Sequence, residues 1–291
     1  MEHHNSDGLL HVRVGCDVRY EVEHPTPMLF VIEVPDGGEQ HVLQSTQVIE
    51  PPVLIERIRD GYGSIVWRVV APPGPFHLRY DALVAVPSPP DPVFPELPKT
   101  PIEQLPGEVI SYLWPTRYCP SDRLLDEAWR LFGHVEGGWA QVQAVCDWMH
   151  ANIEYGAGST ARTDSVEVYE ARRGVCRDFA HLAITFCRAL NIPARYVCGY
   201  LPDIGVEPPP TPMDFHAWFQ VWLDGAWRTF DARHNQPRTG RIIVATGRDA
   251  VDGAWATVFG SARFLQLQVW ADEVSAESTL DPLAADPQTK V

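Results

Sequence analysis

The run Arg173-Gly174-Val175-Cys176-Arg177-Asp178-Phe179-Ala180-His181-Leu182 places a cysteine where a glycine-marked turn passes into an apolar helix. A helix start carries unpaired backbone N–H groups and the positive end of the helix dipole, and both favour a thiolate. The spacing predicts a helix over residues 177–190 with a reactive thiol at its head, stopped by Asn191-Ile192-Pro193. Asp178 is placed to cap the start. His181 lies more than one turn along and is expected to be buried and hydrogen-bonded. A strand rich in β-formers follows over Ala194–Tyr200.

Downstream, His216-Ala217-Trp218-Phe219-Gln220-Val221-Trp222-Leu223, then Asp224-Gly225, then Ala226-Trp227-Arg228-Thr229-Phe230-Asp231 reads as a β-hairpin. With Asp-Gly as a two-residue turn, Leu223 faces Ala226. Counting outward pairs Trp218 with Asp231 and His216 with Arg233. Side chains alternate along a strand, so His216, Trp218 and Asp231 share a face. Asp231 is then the diagonal neighbour of His216, about 7–8 Å away by backbone. A slip of one residue would send it to the opposite face.

This constellation has the parts of a cysteine-histidine-aspartate relay. His216 would take the proton of Cys176, and Asp231 would fix the imidazole tautomer. The Cys176 backbone N–H would supply one oxyanion donor. Attack on an amide or ester carbonyl would give an acyl-thioester, resolved by water or an amine. Cys146, Cys187 and Cys198 are expected to be buried apolar fillers. Trp218, Trp222 and Trp227 are expected in the core or along a cleft.

The rest of the chain divides around a proline-rich stretch. Residues 9–86 read as short strands, over 11–22, 28–34, 65–70 and 77–86, with a turn at Pro72-Pro73-Gly74-Pro75. That pattern predicts a β-sandwich over residues 1–98. Prolines recur between residues 87 and 106 and mark a stiff connector, with 99–106 as the linker between units. Beyond it, residues 107–271 are expected to form the catalytic core. Helices are predicted over 121–132 and 139–153. A short helix is opened by Asp164-Ser165-Val166-Glu167 and closed at Gly174. A late strand over 264–270 falls in the core, and residues 272–291 read as a polar tail. The fold class expected is α+β.

The 291 residues carry a formal net charge of −15, which argues against a nucleic-acid or anionic-membrane surface. The opening Met1-Glu2-His3-His4-Asn5-Ser6-Asp7 does not resemble a secretory signal, and His3 and His4 read as part of a frayed tail. The six cysteines include no Cys-x-x-Cys pair and read as reduced thiols of a cytoplasmic protein. No metal site and no cofactor are expected. The expected partner is a peptide, a protein or a small amide as substrate, and oligomeric state is left open.

Four blocks together resemble the transglutaminase-like superfamily: Arg173-Gly174-Val175-Cys176-Arg177-Asp178-Phe179-Ala180, Ile192-Pro193-Ala194-Arg195-Tyr196-Val197-Cys198-Gly199-Tyr200, Phe215-His216-Ala217-Trp218 and Trp227-Arg228-Thr229-Phe230-Asp231. The resemblance covers roughly residues 105–260. It implies a papain-like core preceded by a β-rich domain, with Cys176 as nucleophile, His216 as base and Asp231 as its orienter. Members of the family include cross-linking transglutaminases, cysteine proteases, peptide amidases and inactive scaffolds. Without an EF-hand loop or a dense carboxylate cluster, calcium dependence is not expected. The resemblance implies a second oxyanion donor, sought within residues 155–164 but not assigned. A peptidase or amidase is the leading expectation. Amine transfer and a non-catalytic peptide-binding module on the same fold are the rivals, with a metalloenzyme behind them.

Overall fold

In β1 (Leu9–Val22), Val12, Val14, Cys16 and Val18 are fully buried, which is the alternation of a strand with one face in a core. The same logic builds the first half of the chain. The computed structural model describes residues 8–280. Its early strands are β2 (Thr26–Glu33), β3 (His41–Glu50), β4 (Glu56–Arg59), β5 (Ile65–Ala71) and β6 (Gly74–Pro87). Four helices follow: α1 (Leu125–Phe132), α2 (Gly138–Asn152), α3 (Ser165–Ala171) and α4 (Cys176–Ala189). Two-residue strands β7 (Glu154–Tyr155) and β8 (Arg173–Gly174) flank α3. The later strands are β9 (Ala194–Tyr200), β10 (His216–Leu223), β11 (Ala226–Phe230), β12 (Ile242–Gly247), β13 (Ala256–Val258) and β14 (Ala262–Val274). The protein is α+β.

Two four-stranded sheets, ordered β14-β1-β6-β3 and β13-β2-β5-β4, face each other as a sandwich. Their inner faces interlock through aromatic pairs: Phe30 stacks on Phe76, and Trp67 meets Tyr80 edge-on at 5.9 Å. Tyr80 also accepts the backbone N–H of Val34. Strands β3 and β4 were not anticipated. Most of their side chains are exposed, so their sequences lack the buried alternation that marks a strand.

The placement of the last strands is a correction. The strand expected within the catalytic core is β14, and it pairs antiparallel with β1 from His11↔Val274 to Val22↔Ala262. Short β13 pairs with β2. The chain therefore returns to complete both sheets of the sandwich, so its N- and C-terminal parts fold together. Residues 272–274, expected in the tail, are strand. The expected frayed start and the rest of the tail from 281 lie outside the described residues.

The proline-rich segment lies against the core. Leu97 O accepts the N–H groups of Gly138 and Trp139 at the start of α2, and the Asp91 carboxylate accepts the Arg238 N–H. A third sheet, ordered β11-β10-β9-β12, is wholly antiparallel and carries α4 against β10. Helix α4 is buried from Asp178 to Ala189, with α1, α2 and α3 packed around it. Its buried polar members Asp178, His181, Thr185 and Arg188 are all hydrogen-bonded, as burial requires. Helix α1 begins at Leu125, four residues later than expected, after a turn. Helix α3 has the predicted capping box between Asp164 and Glu167. It ends at a left-handed Arg172, with φ of 55°, and not at Gly174.

Candidate active site

Gly174 has a different task. A Cβ there would stand 2.7 Å from the Asp178 Cβ. The bare backbone lets Asp178 turn back and accept the Val175 N–H at 2.9 Å, while Arg177 pairs with its other oxygen at 3.1 Å. Asp178 is wholly buried. This box fixes the turn that delivers Cys176 as the first residue of α4. As the first residue of α4, Cys176 has no preceding helical turn to accept its backbone N–H, which is left at the positive end of the helix.

The hairpin has the predicted register. Leu223 pairs with Ala226, and Phe219 with Phe230, so the next step outward sets Trp218 opposite Asp231. Asp224 and Gly225 both have positive φ, 49° and 75°, as a tight hairpin turn requires. His216 donates from Nε2 to Asp231 Oδ2 at 2.7 Å, with both side chains buried. Among the described residues His216 Nδ1 has no hydrogen-bond partner, and in this tautomer that nitrogen carries a free lone pair.

Asp231 is held from several directions. Its Oδ2 also takes His234 Nδ1 at 3.0 Å and Arg241 Nη2 at 3.1 Å. Its Oδ1 accepts the backbone N–H groups of Arg233 and His234. Burial alone would raise its pKa, but His216, Arg241 and His234 outweigh that and hold the carboxyl well below its usual range. Arg241 lies over the Trp218 ring, whose indole stacks beside His216. Sequence reasoning missed His234 and Arg241. His234 follows the hairpin in the next turn, and Arg241 precedes β12, so neither belongs to a periodic pattern.

The thiol is near this pair without being bonded to it. Cys176 is half-buried, and its Sγ is 3.9 Å from the carbonyl oxygen of Phe215, the residue before His216. No thiol–imidazole hydrogen bond forms. The expected lowering of the thiol pKa is also reversed. Burial pushes Cys176 up to about 11, against the opposing pull of the Ala217 N–H and the Arg233 charge. Burial likewise brings His216 down to about 4, more than Asp231 raises it. Burial thus favours the neutral form of both the thiol and the imidazole.

His181 is buried between Tyr118 and Tyr196 and accepts the Ala250 N–H at Nε2. The five cysteines other than Cys176 are buried, and all six are free. Within the stretch searched for a second oxyanion donor, the Tyr155 phenol is close enough to Cys176 to feel a charge there. His216, Asp231 and His234 place one ligand atom each within 4.8 Å of one another. A cation bound there would meet the Arg241 guanidinium on the same carboxylate oxygen, so these residues fit a metal poorly.

A cysteine at the head of a buried helix, packed on an antiparallel sheet whose adjacent strands bring up a histidine–aspartate pair, defines a transglutaminase-like protein. The chain belongs to the transglutaminase-like superfamily, whose description matches residues 131–232. A "Putative Cysteine Protease" from Cytophaga hutchinsonii, known from its crystal structure, is 36% identical, with a TM-score of 0.84 over 96% of this chain and 94% of that one. An uncharacterised protein of Mycobacterium tuberculosis is 31% identical over 67% of this chain and 68% of its own length. One from Mycobacterium leprae is 32% identical over 49% of this chain, and the match spans about half its length, 52%. Family and fold together support a cysteine-dependent enzyme. Among the described residues no helix is long and apolar enough to cross a membrane.

Proposed function

We propose that the protein is a cysteine-dependent acyl-transfer enzyme that cleaves amide bonds through an acyl-thioester, with water as the usual acceptor. The observation that carries this reading is the buried His216–Asp231 bond of 2.7 Å. It leaves Nδ1 as a base one residue from the carbonyl that Cys176 addresses. The "Putative Cysteine Protease" from Cytophaga hutchinsonii, similar over nearly its whole length, is in keeping with it.

Because burial disfavours both charged forms, proton transfer accompanies the attack. The Cys176 thiol turns from the Phe215 carbonyl to His216. As Sγ bonds to the substrate carbonyl carbon, its proton passes to Nδ1 and the carbonyl electron pair moves onto oxygen. The Cys176 N–H receives that oxyanion. Asp231 balances the imidazolium without accepting a proton. Collapse breaks the C–N bond, and the Nδ1 proton leaves with the amine. Water then attacks the thioester and gives one proton to Nδ1; collapse of that intermediate breaks the C–S bond and releases the carboxylic acid, and the Nδ1 proton returns to Sγ to restore the thiol.

A peptide library offered with and without a labelled primary amine tests the reading. Hydrolysis that disappears in Cys176→Ala supports a peptidase or amidase. Amine incorporation exceeding hydrolysis would assign transfer instead. Peptide binding without turnover in the wild-type protein would assign the binding-module alternative.

A further inference from the structure

A cavity of about 690 Å³ lies between the sandwich and the outer face of the third sheet. Its walls come from the turn at residues 35–40, the proline-rich segment, β10, β11 and the approach to β12. Cys176 does not line it. Four arginines do: Arg195, Arg228, Arg238 and Arg241. In a chain of net charge −15, such a concentration of cations needs a reason.

Their partners leave charge and donors over. Arg195 donates to the neutral Gln220 Oε1 at 2.8 and 2.6 Å, lies over the Trp227 ring and has Tyr112 as a further neutral partner. Burial without a counter-charge lowers its pKa to about 10. Arg228 lies over the Phe94 ring and has no carboxylate partner among the described residues. Arg238 and Arg241 do have carboxylates, Asp203 for the first and Asp91 and Asp231 for the second. The other acids on the wall are Asp36, which accepts the Val42 N–H, and exposed Glu39.

Seven buried side-chain nitrogen or oxygen atoms lack a partner among the described residues, and four of them belong to this wall. They are Trp218 Nε1, Arg228 Nε, Arg238 Nε and Arg241 Nη1, all donors. Trp218 and Arg238 are more than nine-tenths buried. Buried donors without acceptors are destabilising, and native proteins rarely gather them in one place. Arg195 and Arg228, which have no carboxylate partner among the described residues, would be balanced by a ligand of negative charge, and guanidinium groups bind planar oxyanions through paired hydrogen bonds. The volume suits a small organic molecule.

We propose that this cavity is a binding site for a small anionic ligand bearing carboxylate or phosphate groups. It is separate from the thiol site and independent of whether Cys176 is a nucleophile. Arg241 joins the two, since one guanidinium faces both the cavity wall and Asp231.

Thermal unfolding and calorimetry with citrate and with inorganic phosphate test the proposal, against sodium chloride matched for ionic strength. Citrate and phosphate represent the two ligand chemistries. The expected result is a saturable rise in melting temperature with at least one of them, weakened tenfold or more in Arg228→Gln and in Arg195→Gln. Arg228→Lys should retain part of the binding. A crystal soaked in tungstate checks the location without any variant, and anomalous density should appear against Arg195 and Arg228. Matched effects of chloride and both anions, or density only outside the cavity, would overturn the proposal.

Discussion

Asp231 receives five hydrogen bonds while supporting one imidazole, so its removal should separate orientation from binding. Asp231→Asn keeps the shape but can present an N–H to His216, which favours the wrong tautomer. The acylation rate should fall on the order of 10²–10⁴-fold with little change in KM. Single-turnover kinetics on an activated ester would show this, and an unchanged rate would remove Asp231 from the mechanism. Protonation supplies a second expectation. Burial holds His216 near 4 and His181 well below its ordinary value, so both fold as neutral rings. The unfolded chain binds more protons than the folded one below about pH 6.5. The stability they confer is complete above that pH and is lost as pH falls toward the folded values. Urea unfolding across this range should show His181→Phe flattening the loss by up to about 1.4 kcal/mol per pH unit. At this scale the placement of Cys176 at a helix start and of His216 beside Asp231 was legible, because a turn, a helix start and a hairpin count located them. Arg241 and His234 were not, because their side chains reach Asp231 from irregular backbone. The upward push of burial on the thiol was also hidden, since burial is a property of packing.

The turn into α4 depends on the absence of a side chain at Gly174 as much as on the presence of Asp178. Gly174→Ala would bring a methyl group to 2.7 Å from the Asp178 Cβ and force that carboxylate off the Val175 N–H. A loss of about 1–3 kcal/mol is expected, together with slower labelling or acylation of Cys176. Thermal melts and thiol labelling of the same variant check both effects. Stability lost with reactivity unchanged would mean that the box supports the helix without aiming the thiol. Elements were readable where local chemistry decides them. The Asp224-Gly225 turn set the hairpin register in advance, and Ala194–Tyr200 is a strand over its expected span. Strands β3 and β4 escaped because a sheet face left in water does not require alternation.

Closure by β13 and β14 makes the fold of the sandwich depend on residues more than 230 positions after its first strand. Local pattern can show that residues 264–270 form a strand, but not which distant edge they pair with. The N-terminal unit should therefore fail to fold alone. A chain ending at residue 255 should lose cooperative unfolding, whereas the full chain should show one transition by calorimetry. Gln40 adds a seam at the same scale, donating to the Ile243 carbonyl and accepting its N–H at 2.9 and 2.8 Å. The α+β class and the family were readable from four short blocks, while the interdomain cavity was not, since its arginines come from separated parts of the chain.

If Cys176 carries the acyl group and His216 moves its proton, intact-protein mass spectrometry after brief mixing with an activated acyl ester, followed by peptide mapping, should find one acyl adduct on Cys176 in the wild-type protein. None should form on that residue in Cys176→Ala, and adduct formation should slow at least a hundredfold in His216→Ala. An adduct that persists in Cys176→Ala, or one that forms at the wild-type rate without His216, would contradict this assignment.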